Sequence, residues 1–159
     1  MGVQYEIDAD HSTDWSWRLS TADIDRDVPF SSFPGVHRVF CVAGGAGVTL
    51  GVNGHDLRCA TGSVARFGGG DEVDARTWDG AVQAVNLMWR DGAAWRDLRV
   101  VRAGESVTGA LSVVASGDAR VAIDGTLREL AHLDALLRLD ERAMVDVVHG
   151  AVVTVVRGH

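Results

Sequence analysis

The chain contains no lysine: all 15 basic residues among its 159 are arginine. Without a lysine amine there is neither a Schiff-base nucleophile nor the lysine of a Walker A loop, and two large enzyme classes drop out. Cysteine occurs only twice. Cys41 and Cys59 lie in separate apolar runs, without Cys-x-x-Cys spacing or a histidine-rich neighbourhood, and read as two reduced, buried thiols. No apolar run is long enough to span a membrane, and the first eleven residues lack a charged-then-apolar leader, so a complete cytoplasmic chain is expected. Acidic residues outnumber basic ones, 22 to 15, for a net charge of −7. Arg18, Arg38, Arg58, Arg90 and Arg138 stand singly among apolar neighbours and form no basic stripe, which argues against nucleic acid as a partner.

What the chain does have is a 47% hydrophobic content, enough for a core, with two prolines and 19 glycines. It should fold alone or as a small oligomer, which leaves room for a homodimer. Turn dipeptides such as Pro34-Gly35, Asn53-Gly54, Asp79-Gly80, Asp91-Gly92 and Asp124-Gly125 separate short β-branched or aromatic runs, the spacing of an all-β protein. Strands are predicted at 3–8, 15–24, 36–43, 47–52, 56–60, 64–67, 73–78, 81–89, 96–102, 110–116, 119–123, 127–131, 135–139, 144–148 and 151–157. From 126 to 144 local signals conflict. Thr126 and Glu129 form a capping-box pattern, and Leu127, Leu130, Leu133 and Leu137 recur at helical spacing. Yet Val42 to Asn53-Gly54 aligns with Val113 to Asp124-Gly125 at an offset of about 71 residues, which favours strand there and two small antiparallel β-barrels in one chain.

The run Trp15-Ser16-Trp17-Arg18-Leu19-Ser20-Thr21-Ala22-Asp23-Ile24, followed by Pro29-Phe30-Ser31-Ser32-Phe33-Pro34-Gly35-Val36-His37-Arg38, closely resembles the signature of the HutD/Ves family of bicupin-like bacterial proteins. Gly45-Ala46-Gly47 with Leu50, the Phe67-to-Asp71 loop, and Asn86-Leu87-Met88 with Arg90 and Gly92 extend the match, so that its motifs cover about 15–92. The resemblance implies two cupin-like halves, about 1–92 with the motifs and about 93–159, with room for exchanged strands, and a pocket in the first. It also implies a link to histidine catabolism, with N-formylglutamate or urocanate as ligands. The Ves side implies instead a stress-induced protein acting through a protein partner. Three positions depart from the family pattern: His37 and Ala84 stand where aspartates are usual, and the Phe67-to-Asp71 loop is one glycine longer.

Read residue by residue, the chain supports binding better than catalysis. No two histidines are spaced as in a metal-binding cupin, so neither a metal nor another cofactor is expected; a metal-dependent isomerase, hydrolase or oxygenase would need distant residues such as His37 and His55 to converge. No Gly-x-Ser-x-Gly elbow is present, and Gly68-Gly69-Gly70-Asp71, lacking a following lysine, reads as a strand connection. Strand alternation puts Arg18, Ser20 and Ala22 on one face, where a guanidinium suits a small anionic metabolite; otherwise Arg18 faces water or pairs with Glu6 or Asp23. Arg38 alternates with Val36, Phe40 and Val42 on an apolar face, so it must be paired or snorkel, and it is the stronger candidate for a carboxylate. Phe30, Phe33 and Ser31 belong to a turn that either lines a pocket mouth or plugs the barrel end. Asn86, inside an apolar strand, contacts a ligand or clamps backbone. The expected ligand-binding set is therefore Arg18, Ser20, Phe30, Ser31, Arg38 and Asn86.

Overall fold

A computed structural model describes residues 4–10 and 14–158. The predicted first residue of strand one, Val3, and the terminal-region histidines His11 and His159 lie outside them. The described residues contain strands and turns and no helix, hence none long and apolar enough to cross a membrane. The chain divides into two compact units, 1–94 and 95–159.

The first unit contains β1 (Gln4–Ala9), β2 (Trp17–Ile24), β3 (Val28–Pro29), β4 (Val36–Gly44), β5 (Val48–Val52), β6 (His55–Cys59), β7 (Val64–Gly68), β8 (Val73–Thr77) and β9 (Val82–Arg90). They form a five-stranded sheet, β1-β2-β9-β4-β7, and a four-stranded sheet, β3-β8-β5-β6. Period-2 alternation directs one side of each sheet into a shared core: Ile24, Phe40, Val42, Ala65, Val82 and Ala84 from the first, Val48, Leu50, Cys59, Val73 and Ala75 from the second. Phe40, with no exposed surface, contributes roughly 2–3 kcal/mol by its burial.

The second unit contains β10 (Arg96–Arg102), β11 (Ser106–Thr108), β12 (Ala110–Ile123), β13 (Thr126–Leu130), β14 (Ala135–Leu136) and β15 (Met144–Arg157). These make one sheet, β10-β15-β12-β13, with β11 on β15 and β14 on β12. Its core gathers Val101, Val107, Val113, Val121, Val145, Val147 and Val152.

The all-β expectation holds, but the closed-barrel detail is corrected: among the described residues, hydrogen bonding leaves three open sheets, each made of strands from one unit. Two predicted breaks are also corrected. Ser116-Gly117-Asp118 and His149-Gly150 are not turns; they interrupt the β12–β15 ladder as a register shift between Ser116 and Arg120, with Gly117 and Gly150 at φ 80° and 75°. A side chain at Gly150 would meet the Asp118 carbonyl at 2.4 Å, so two long strands bend past each other where the sequence suggests four short ones. The stretch from 126 to 144 is strand and turn. Leu133 and Arg138 take left-handed φ values of 67° and 55°, which no α-helix admits, and Leu127 is exposed on β13. The predicted 135–139 strand shrinks to Ala135–Leu136, while β3 and β11 were too short to leave a periodic signal.

Candidate ligand cavity

The five-stranded sheet carries its inward polar residues in two rows. Arg18 on β2 and Arg38 on β4 both partner Met88 on the central strand β9, and Arg38 in turn partners Phe67 on β7. One step along, Ser20, Asn86, Phe40 and Ala65 form the next row. Interstrand spacing sets the Cα atoms of Arg18 and Arg38 about 10 Å apart.

Arg38 is 8% exposed and has no carboxylate partner among the described residues. Its Nη1 donates to the Ser31 carbonyl at 3.2 Å, and its Nε has no hydrogen-bond partner. Three rings surround it, with Cζ 5.0 Å from the centroid of Phe30, 5.3 Å from Phe67 and 5.9 Å from Phe33. Burial pushes the guanidinium down to about 10, which leaves it charged at neutral pH. A buried cation paired only with ring faces and one carbonyl retains an unused edge, Nε with Nη2, the fork that fits a carboxylate.

The segment carrying Phe30 and Phe33 is held by backbone. Phe30 N donates to Val73 O at 2.8 Å, Phe33 N to Gly69 O at 2.6 Å, and Gly69 N to Val36 O at 2.6 Å. A Cβ at Gly69 would stand 2.3 Å from the Phe33 carbonyl oxygen, so the Gly68-Gly69-Gly70 loop is a place of close backbone approach. Asp71 closes that loop by accepting from Gly68 N at 2.7 Å and from Asn53 Nδ2 at 3.1 Å.

A cavity of about 50 Å³, open to solvent at its mouth, is lined by Gln4, Ala22, Asp23, Ile24, Val28, Phe30, Ser31, Phe33, Arg38 and Asn86. Asn86, 4% exposed, has an Oδ1 without a partner. Of the six residues expected from sequence, Phe30, Ser31, Arg38 and Asn86 line the cavity. Ser20 is fully buried and accepts from Gln4 Nε2 at 2.6 Å, so Gln4 forms the wall in its stead. Arg18 lies outside the lining, with Nε 3.3 Å from Glu6 Oε2, an ion pair too poorly aligned to count as a hydrogen bond. Pairing with Glu6 was one of its two alternatives. Sequence reasoning passed over Gln4, although its place two residues before Glu6 puts both on the inward face of β1.

His37 points to the opposite face of β4, stacks on Trp89 with centroids 5.2 Å apart and places Nε2 2.8 Å from Asp91 Oδ1. His55 is exposed on β6. Among the described residues no group of three or more His, Cys, Asp and Glu side chains is placed to hold a metal ion.

The fold is cupin-like. A Cupin 2 conserved barrel domain protein from Leptotrichia buccalis matches with a TM-score of 0.63 at 9% identity, over 99% of this chain and 89% of that one. More narrowly, the chain belongs to the HutD family, whose model matches residues 2–154. HutD from Pseudomonas fluorescens SBW25 (formate condition) matches with a TM-score of 0.78 and 27% identity, over 99% of this chain and 90% of that one. A Pseudomonas putida relative, the uncharacterized 21.2 kDa protein in the hutC 3′ region, is 36% identical over 76 residues, 47% of this chain and 40% of the relative. The matched part thus spans less than half of that curated protein. Its name agrees with the family's link to a histidine-utilisation locus.

Proposed function

We propose that the first unit binds a small carboxylated metabolite without transforming it, and that this binding modulates histidine degradation in the cytoplasm. One observation carries the reading: Arg38 is buried, charged, without a carboxylate among the described residues, and part of a cavity wall. Burying an unpaired guanidinium is costly, and a ligand carboxylate on its free edge would offset that cost with charge-assisted hydrogen bonds of about 1.5–3 kcal/mol. The apolar walls supplied by Phe30, Phe33, Val28 and Ile24 would strengthen the contact by excluding water.

Isothermal titration with formate, urocanate and N-formylglutamate tests the reading. Saturable heat with at least one of them, weakened tenfold or more by Arg38→Gln, supports it. Flat titrations for all three remove it.

A further inference from the structure

The second unit repeats the strand order found around the first cavity. There β9 lies between β2 and β4; here β15 lies between β10 and β12, and the short strand β11 follows β10 as β3 follows β2. Residues of β10, β11 and the end of β15 line a cleft of about 510 Å³ that opens to solvent, against about 50 Å³ in the first unit, and its size is that of small-molecule sites. Arg99 shares its face of β10 with Val101, a residue of the second core, and pairs with Thr154 on β15, itself opposite Val113 on β12. Val113 corresponds to Val42 through the internal offset, and the matching row of the first unit holds Ala22, Ala84 and Val42. The second unit therefore carries a cation where the first carries a methyl group.

We propose that this cleft is a second ligand site, for an aromatic carboxylate that sets its ring against Trp95 and its carboxylate on Arg99. Two guanidiniums and two carboxylates line it, and they are not equivalent. Arg157 Nη2 lies 2.5 Å from Glu141 Oε1, and Asp97 is likewise engaged. The Arg99 guanidinium makes no hydrogen bond or ion pair among the described residues, so its planar fork is the unused charge of the cleft. For an aromatic ring the cleft supplies an exposed indole and two valines. Trp95 is 49% exposed, although Gly158 N donates to its carbonyl at 2.9 Å and fixes the backbone there. A Cβ at Gly158 would run into the Trp95 ring, so the glycine lets the indole lie against the chain. Val107 and Val156 form an apolar floor continuous with the second core. A ligand ring covering this surface removes from water what the protein alone leaves wet, while Arg99 fixes its orientation.

NMR titration of the full chain with 2-naphthoate tests the site, alongside naphthalene-2-methanol and 2-naphthylmethylamine, which replace the carboxylate by a neutral and a cationic group. The expected result is saturable binding of 2-naphthoate, with shift changes centred on 95–99, 107–109 and 156–158 and an affinity about fivefold or more above that of both analogues. Arg99→Gln should erase that preference, and Trp95→Leu should weaken all three compounds together. The wild-type comparison stands without either variant should one fail to fold. Changes centred on Phe30 and Arg38, equal affinity for the neutral compound, tighter binding of the amine, or no saturable change would each overturn the proposal.

Discussion

Arg18 and Arg38 flank the same residue, Met88, from opposite sides of one sheet row, yet among the described residues only Arg18 has a carboxylate beside it. Glu6 on the edge strand β1 reaches Arg18, whereas Arg38, two strands further in, is enclosed by phenylalanines. The same residue type at equivalent heights therefore serves different ends. Arg18 makes a half-exposed ion pair of the kind worth less than about 1 kcal/mol. Arg38 holds a charge that has no counter-ion among the described residues.

Replacing Arg38 by Met should accordingly stabilise the ligand-free protein while removing carboxylate binding. Methionine fills the ring-lined space without the desolvation cost of a cation, and the lost cation–π contacts offset part of the gain, for a net of about 1 kcal/mol. Urea denaturation checks the stability and calorimetric titration the binding. A marked loss of stability would show that the guanidinium is a structural strut.

The pH dependence follows from the same group. Burial holds Arg38 down to about 10, below its value in the unfolded chain, so above about pH 10 the unfolded state binds the extra proton and stability rises with pH. Compared with Arg38→Met, the wild type should gain stability from about pH 10 upward, while its carboxylate affinity, flat through neutral pH, falls over the same range. Denaturation and titration series on both proteins read the two trends, and parallel stability profiles would contradict them.

Gly69→Ala should perturb fold and cavity together. The new Cβ meets the carbonyl oxygens of Phe33 at 2.3 Å and Val36 at 2.9 Å, so backbone must move, at a cost of about 2–4 kcal/mol, and Phe33 moves with it. Its neighbour is the control: a Cβ at Gly70 comes no closer than 3.7 Å to Pro34, and Gly70→Ala should be nearly neutral. Thermal denaturation distinguishes the two, and equal melting temperatures would refute the close-approach account.

Much of this was legible in the sequence where period and turn chemistry agree. Alternation alone put Arg38, Phe40 and Val42 on one face, and lone glycines and Asn/Asp-Gly pairs located most strand ends. What it missed was non-local. Ser116-Gly117-Asp118 looks like a turn because bulge and turn use the same residues, and only pairing with β15 across Gly150 decides between them. The leucines of 126–144 have helical spacing, but β13 pairs with β12 and tertiary pairing overrides the local preference. Gln4 enters the cavity wall because β1 pairs with β2 at Gln4–Ala22, a register that nothing near Gln4 in the chain encodes. Nor does spacing reveal whether Glu6 or a ligand neutralises a given arginine.

The two hairpins related by the internal offset provide the last prediction. Asn53 and Gly54 take φ values of 49° and 81°, Asp124 and Gly125 values of 47° and 82°, and Val52–His55 and Ile123–Thr126 close the two ladders in the same way. Both are type I′ turns, which require left-handed backbone at each central residue. A Cβ at Gly54 or Gly125 would meet nothing within 4 Å, so alanine there is opposed by backbone conformation alone, at about 1 kcal/mol. Gly54→Ala and Gly125→Ala should therefore each cost about that much in chemical denaturation, and equally, although they lie in different units and one is followed by β6, the other by β13. A cost at one turn and none at the other would show that the matching sequence pattern does not reflect matching backbone energetics.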